Sequence, residues 1–539
     1  MRDRYGLTRR GFLASAAALA APSFAFGEKA PRAATESFNP DVDIELACRR
    51  DAVQILSGRP TSVWRYAGNL LKGPAQTLTA LPDSYLGPLL RFTKGQKIRI
   101  RLRNELPEKT IAHWHGLHVP MDADGHPSAA IDPGQTYVYE FEMRNRASFN
   151  FYHPHTHEAT ATQVYHGLAG GIIVEDEDER ALGLPTGEYE IPLILQDRSF
   201  DDGNQFAYWG GMHRDMFGFY GERILVNGRA DHRIDVASRA YRLPILNASN
   251  ARIYKLQWDD GTPLTAIGVD GGLLEKPETR PYVMLAPAER VDLWVDFSGR
   301  KIGSKLVMRS GEFDGLVPPM AQRMGGGGLI VGDDYPLFTV TVARETSDSP
   351  KLPQKLAAIK RHRPEDLANP DDPRPIAISM GHMSVMLNGR GYEHDNLLPI
   401  ERVPVGTVQL FEIFHDHGGG GMRMGGMGMG MGMGRGMGMG GGMGGGMGMM
   451  GMMNMAHPIH LHGQPFEIVS RTYEGEDAEA YSTIRDGLID SGLKDTVLVA
   501  PGERIRIAKP FEDFKGRFMY HCHNLEHEDM GMMREFSVE

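Results

Sequence analysis

The chain runs to 539 residues, too long for one ordinary hydrophobic core, so two to four domains are expected. Apolar residues make up 41% and charged residues 24%, and the formal net charge of −11 argues against a nucleic-acid-binding surface and against a polybasic membrane anchor. Two counts are out of proportion, 66 glycines and 31 methionines, against only two cysteines.

Residues 1–27 read as an export signal. Arg9 and Arg10 precede Gly-Phe-Leu and an apolar stretch, Phe12 to Ala21, that is too short to cross a bilayer. Twin arginines in this setting resemble a bacterial Tat signal cleaved near Ala25, which implies the Tat translocase as a partner and a periplasmic destination; an ordinary Sec signal is the competing reading. No other segment reaches 18 apolar residues, so no membrane anchor is expected in the mature form. Cys48 is expected to pack as a small hydrophobe rather than to bridge to Cys522.

The body of the chain repeats itself. "PGQTYVYEFE" from Pro133, "PAERVDLWVDF" from Pro287 and "PGERIRIAKPF" from Pro501 each read as a proline turn opening a strand of roughly alternating apolar and polar residues. "LVNGR" at 225–229 and "LNGR" at 387–390 form a second recurrence, and long helical periodicity is scarce. Three consecutive β-sandwich domains are expected, over 38–180, 181–350 and 366–539, the last two separated by the polar, proline-bearing "ETSDSPKLPQKL".

Histidines distinguish the three units. The first carries "HWHGLH" (113–118) and "FYHPHTH" (151–157), the third "HPIHLHG" (457–463) and "HCHNLEH" (521–527), whereas the second has only the scattered His213 and His232. Side chains two apart on a strand project from one face. Each pair, His113/His115, His153/His155, His460/His462 and His521/His523, therefore points one way, while Cys522 and His457 point to the opposite face. Two metal sites back to back, one residue step apart, account for the cysteine's position between two histidines.

Ligand chemistry suggests the metal. Cys522, His457 and His527 supply a thiolate and two imidazoles, with Met532 as a long, weak axial ligand, which is a blue-copper set suited to electron transfer. Zinc would use a closed Cys/His tetrad and has no redox use for a neighbouring cluster. The other eight histidines fit three coppers in a two-three-three arrangement, so that four copper ions can hold the four electrons that reduce O2 to water.

The four motifs, in this order and at these relative positions, resemble those of multicopper oxidases over most of the mature chain, and within that family the three-domain bacterial laccases and periplasmic cuprous (copper-efflux) oxidases. The resemblance implies an all-β chain of three cupredoxin-like Greek-key domains with the middle one free of copper ligands. It implies type 1 copper on His457, Cys522, His527 and Met532, and type 2 copper on His113 and His460. The two type 3 coppers fall to His115, His153 and His523, and to His155, His462 and His521. Asp124 and Glu528 match the family's proton-relay acids, with a merely ligand-orienting role as the competing reading. His118 and His157 read as packing or hydrogen-bonding residues, and His126 is unassigned.

Residues 418–456 hold 15 methionines spaced by glycine, a composition that prevents a packed core and is expected to be flexible. Thioethers favour Cu(I), and the tract runs straight into His457. The copper-efflux oxidases carry their methionine-rich segment elsewhere in the third domain; where their substrate-copper site has an aspartate this chain has Met453, while Met455 matches. The expected reaction is oxidation of Cu(I), with phenols or aromatic amines as further donors, coupled to O2 reduction in copper tolerance. A laccase without a Cu(I) role and a copper-storage protein are the alternatives. A copper nitrite reductase is disfavoured, because its cysteine lacks histidines on both sides.

Overall fold

The computed structural model describes residues 32–318, 329–381, 384–416 and 455–539. The described strands form six sheets that pair into three units along the chain. The first unit joins a four-stranded sheet to a five-stranded one between Val42 and Glu175, the second a seven-stranded to a five-stranded sheet between Leu193 and Arg344, and the third a six-stranded to a five-stranded sheet between Arg374 and Val538.

Each recurring proline phrase becomes the same strand of its unit. Thr136–Glu142 runs antiparallel to Lys97–Asn104, Arg290–Asp296 to Ala240–Asn247, and Glu503–Phe511 to Thr407–His415. Each of those partners in turn lies parallel to the first strand of its unit, Val42–Val53, Leu193–Arg198 or Arg374–Gly381. Parallel neighbours need crossover connections, so the repeated sequence marks a repeated sandwich topology.

Alternation along the strands builds the cores. In Lys97–Asn104, Ile98, Ile100 and Leu102 are fully buried, while Arg101 and Arg103 turn outward and Arg99 is held at 2.7 Å by Glu140. A separate apolar core fills each sandwich, and Cys48 belongs to the first, a free thiol beside Tyr66, Tyr139 and Tyr152 whose ionisation burial opposes. A further cluster, including Phe217, Phe313, Leu316, Met455, Ala456 and Leu498, joins the second unit to the third. Among the described residues no helix is long and apolar enough to cross a membrane.

Candidate metal centre

Strand register brings the histidine motifs together. Ala112–His115 pairs antiparallel with Ser148–Pro154, with His113 opposite His153. His457–Leu461 pairs with Gly516–Cys522, with His460 opposite His521 and Ile459 opposite Cys522. The two sheets meet so that histidines of the first unit interleave with those of the third: the rings of His113 and His462 stack at 3.8 Å, and those of His115 and His460 at 3.7 Å.

Several overlapping groups bring ligand nitrogens together in this cluster, among them His155, His462 and His521; His113, His115 and His153; and His113, His460 and His462. His155 and His462 each set Nε2 3.3 Å from Nε2 of His521. The rings of His115, His153 and His523 lie 5.0 to 5.7 Å from one another. The rings of His113 and His460 lie 5.7 Å apart, and that of His113 lies 5.5 to 5.6 Å from those of His115, His153 and His155. All eight side chains are buried.

Burial, reinforced by neighbouring imidazoles, holds His115, His153, His155, His462 and His523 well below the ordinary histidine range, and His460 down to about 3. The rings are therefore neutral, with one lone pair each to offer a metal. Which nitrogen offers it is fixed by the bond the other makes. Nδ1 of His113 donates to Asp124 O (2.6 Å), Nδ1 of His153 to Pro154 O (2.8 Å), Nδ1 of His460 to Asp495 O (2.8 Å) and Nδ1 of His462 to Asp124 Oδ2 (2.7 Å). His115 is reversed: its Nε2 meets Asp495 Oδ1 at 2.9 Å. The buried nitrogens left without a hydrogen bond include Nε2 of His113, His153 and His460 and Nδ1 of His115. Orphaned buried polar atoms are costly, and so many in one cluster are the mark of a ligand set.

Behind Cys522 lies a second cluster. Its Sγ is 3.5 Å from Nδ1 of His457 and 3.8 Å from Nδ1 of His527. Met532 is fully buried and tied back by two backbone bonds, Cys522 N to Met532 O (3.0 Å) and Met532 N to His527 O (2.9 Å). The Asn524 side chain caps the short helix Leu525–Asp529, which presents His527. Burial pushes the Cys522 thiol up and His527 down to about 4, so a cation at this site would displace the thiol proton. One thiolate with two imidazoles suits copper, and neutral imidazoles suit it equally in the first cluster.

Two family models, both described as multicopper oxidase, match residues 63–179 and 447–539. A laccase of Bacillus subtilis (strain 168) is 29% identical over 89% of this chain and 90% of its own length. A bilirubin oxidase of Albifimbria verrucaria is 27% identical over 84% of this chain and 71% of its own. The crystal structure of the McoA multicopper oxidase from Aquifex aeolicus superposes with a TM-score of 0.72 at 28% identity, covering 93% of this chain and 97% of that one. The chain belongs to the multicopper oxidases. It is an oxygen-dependent oxidoreductase with a cupredoxin-type fold, and copper is the metal its histidine clusters fit.

The oxidase keeps both acids named from sequence beside the histidines. Asp124 is fully buried and holds His113 through its carbonyl and His462 through its carboxylate. Glu528 sets Oε2 3.0 Å from Nδ1 of His521 and Oε1 3.7 Å from Nδ1 of His155. The other histidines stand apart. His118 meets Asp513 at 2.8 Å, His126 caps the turn at Pro127–Ala129 and lies 3.3 Å from Glu535, and His157 is exposed beside Tyr392. Met455 is buried in the cluster between the second and third units, and its carbonyl accepts from His415 Nε2 at 3.1 Å. Met453, the rest of the tract back to Gly418, the export signal and the side chain of His213 lie outside the described residues.

Sequence reasoning missed the contribution of the second unit. His527 Nε2 donates to Met216 O at 3.1 Å, and Glu526 accepts from Tyr208, Phe219 and Asn250. Asp495 and Arg290, on the opposite side, were missed as well. Arg290 grips Asp495 with two nitrogens and, against the cost of burial, holds its carboxyl well below the usual carboxylate range.

Proposed function

We propose that the two clusters hold four copper ions and that the enzyme oxidises Cu(I), with phenols or aromatic amines as further donors, in the periplasm and in the service of copper tolerance. In this reading His457, Cys522, His527 and Met532 hold the type 1 copper, and His113 and His460 the type 2 copper. His115, His153 and His523 hold one type 3 copper; His155, His462 and His521 hold the other. The observation that carries it is a single strand end: Cys522 faces one cluster, while His521 and His523, bonded directly to it, belong to the other.

Bound copper would supply one-electron oxidation of the donor at the Cys522 cluster and four-electron reduction of O2 to water at the eight-histidine cluster. The protein does the rest. Burial keeps both ligand sets away from the protein surface. Met216 O keeps the His527 proton on Nε2, which leaves Nδ1 aimed at the sulfur. Water formation consumes protons, and Asp124 beside Nδ1 of His462 and Glu528 beside Nδ1 of His521 are the groups positioned to pass them inward.

Support for Cu(I) comes from the thioether tract, whose last two residues lead directly into His457. Ala456 N donates to Leu316 O and Met455 O accepts from His415, so this end of the tract is anchored beside the type 1 ligands. Support for phenols is the name laccase carried by the Bacillus subtilis relative. Twin-arginine export fits a cofactor-bearing oxidase that meets its metal in the periplasm.

Oxygen uptake with Cu(I) and with a bulky phenol, in the intact chain and in one lacking residues 419–452, tests this reading. Deletion should lower kcat/KM for Cu(I) and leave phenol oxidation unchanged or faster, because the tract gathers Cu(I) and hinders large donors. Equal loss for both donors, or none for Cu(I), would contradict it. A copper-storage protein would consume no O2 with either.

A further inference from the structure

The second unit carries no H-x-H motif, yet it reaches the residues behind the eight-histidine cluster, through Asp270, which accepts from the backbone of Asp495 and Thr496, and above all through Arg290. Arg290 opens the strand Arg290–Asp296, and its guanidinium is buried. Nε donates to Phe149 O (2.9 Å) and Nη2 to Asn150 Oδ1 (3.1 Å), both on the first-unit strand that carries His153. Nη1 and Nη2 clasp the two carboxylate oxygens of Asp495, in the third unit, at 2.8 and 2.5 Å. The three units therefore meet at one ion pair.

Asp495 passes that restraint to two histidines. A carboxylate can only accept, so His115 must carry its proton on Nε2, toward Asp495 Oδ1, and keep its lone pair on Nδ1. The backbone carbonyl of Asp495 likewise puts the His460 proton on Nδ1 and the lone pair on Nε2. Those two lone-pair nitrogens are the ones left without hydrogen bonds. The approach is close enough to exclude a side chain at Gly116, the residue after His115: a Cβ there would lie 2.4 Å from Asn150 Oδ1, 2.7 Å from Arg290 Nη2 and 2.8 Å from Asp495 Oδ2.

We propose that Arg290 and Asp495 are positioning residues for the three-copper site, a clasp through which docking of the second unit sets the His115 tautomer and makes copper loading there conditional on assembly. Loading at Cys522 does not depend on this clasp. The proposal rests on reading the eight histidines as a copper site.

The test is copper titration of the full-length chain and of Asp495→Asn and Arg290→Lys, together with 15N-histidine spectra of the copper-free proteins. An Asn amide at 495 offers one oxygen and one donor group, so either Arg290 or His115 Nε2 meets a donor, and His115 can satisfy that donor only by moving its proton to Nδ1. Asp495→Asn should show the Nδ1–H tautomer at His115, bind copper about 10- to 100-fold more weakly at the eight-histidine site, and retain the blue absorption of the Cys522 site. Arg290→Lys keeps the charge but loses the two-pronged grip and should fall between parent and Asp495→Asn. An unchanged His115 tautomer with unchanged loading in Asp495→Asn overturns the clasp alone. Equal loss at both sites in both variants would mean general unfolding and overturns its selectivity. A parent chain that binds copper only at Cys522 overturns the copper reading, and the proposal with it.

Discussion

His460 and His521 are partners across one pair of strands, and the residue after His521 is Cys522, opposite Ile459. That register places an eight-histidine cluster on one face of the sheet and the cysteine cluster on the other, separated by a single backbone step. Both clusters are buried, and in both, burial opposes protonation of named imidazoles, which has a direct consequence for pH.

The copper-free chain should lose stability on acidification below about pH 6.5. The folded-state pKa values of the cluster histidines lie below the unfolded value: about 3 for His460, about 4 for His527, and well below the ordinary range for His115, His153, His155, His457, His462 and His523. Below about pH 6.5 the unfolded chain therefore binds more protons than the folded one, and stability present in full above that pH is lost as pH falls toward the folded values. Each such group costs about 1.4 kcal/mol per pH unit in that window. Thermal unfolding of the copper-free protein at pH 7.5 and pH 5 measures the effect, and copper loading should raise the midpoint at both. A midpoint independent of pH would show that these rings are not held neutral.

Asp124→Asn and Glu528→Gln separate proton supply from ligand orientation. Each keeps the shape of the side chain and removes its ionisation. Copper content should stay near that of the parent, while turnover falls on the order of 10²-fold, more steeply as pH rises and protons become scarce. Loss of copper in step with turnover would assign the two acids a purely structural part.

Gly125→Ala should disturb the eight-histidine cluster without touching a ligand. Gly125 sits at φ +83°, and a Cβ there would lie 2.1 Å from Ala112 O and 2.8 Å from His113 Cα. Both are backbone atoms, so the strand bearing His113 must move. A loss of roughly 2–4 kcal/mol in urea unfolding is expected, with weaker copper uptake at that cluster. Unchanged stability would mean that the turn at Asp124 relaxes freely.

What could be read from the sequence follows from the range of the physics. The H-x-H pairs were legible because the strand period fixes which way neighbours point, and the proline phrases because one topology repeated three times asks for the same turn three times. Asp495 and Arg290 were not. Asp495 stands 380 residues from His115 and 205 from Arg290, and in its own stretch, "LKDTVLVA", it reads as the polar start of an ordinary strand. Arg290 lies within a repeated phrase whose third copy also carries Glu-Arg after the turn, at Glu503 and Arg504, where Arg504 pairs with Glu412 well away from the histidines. Local pattern reports strand and turn; a contact between units shows only once the units are docked.

The central claim is that two copper sites share the strand end at Cys522, and copper quantitation with visible absorption on the parent and on Cys522→Ser tests it most directly. Serine keeps the size but supplies no thiolate, and only Cys522 supplies one at the cluster with His457 and His527. The account predicts four coppers and a blue absorption in the parent, and in the variant one copper fewer, no blue absorption and an eight-histidine site still loaded. Blue absorption persisting in Cys522→Ser, or loss of all copper from it, would contradict the account.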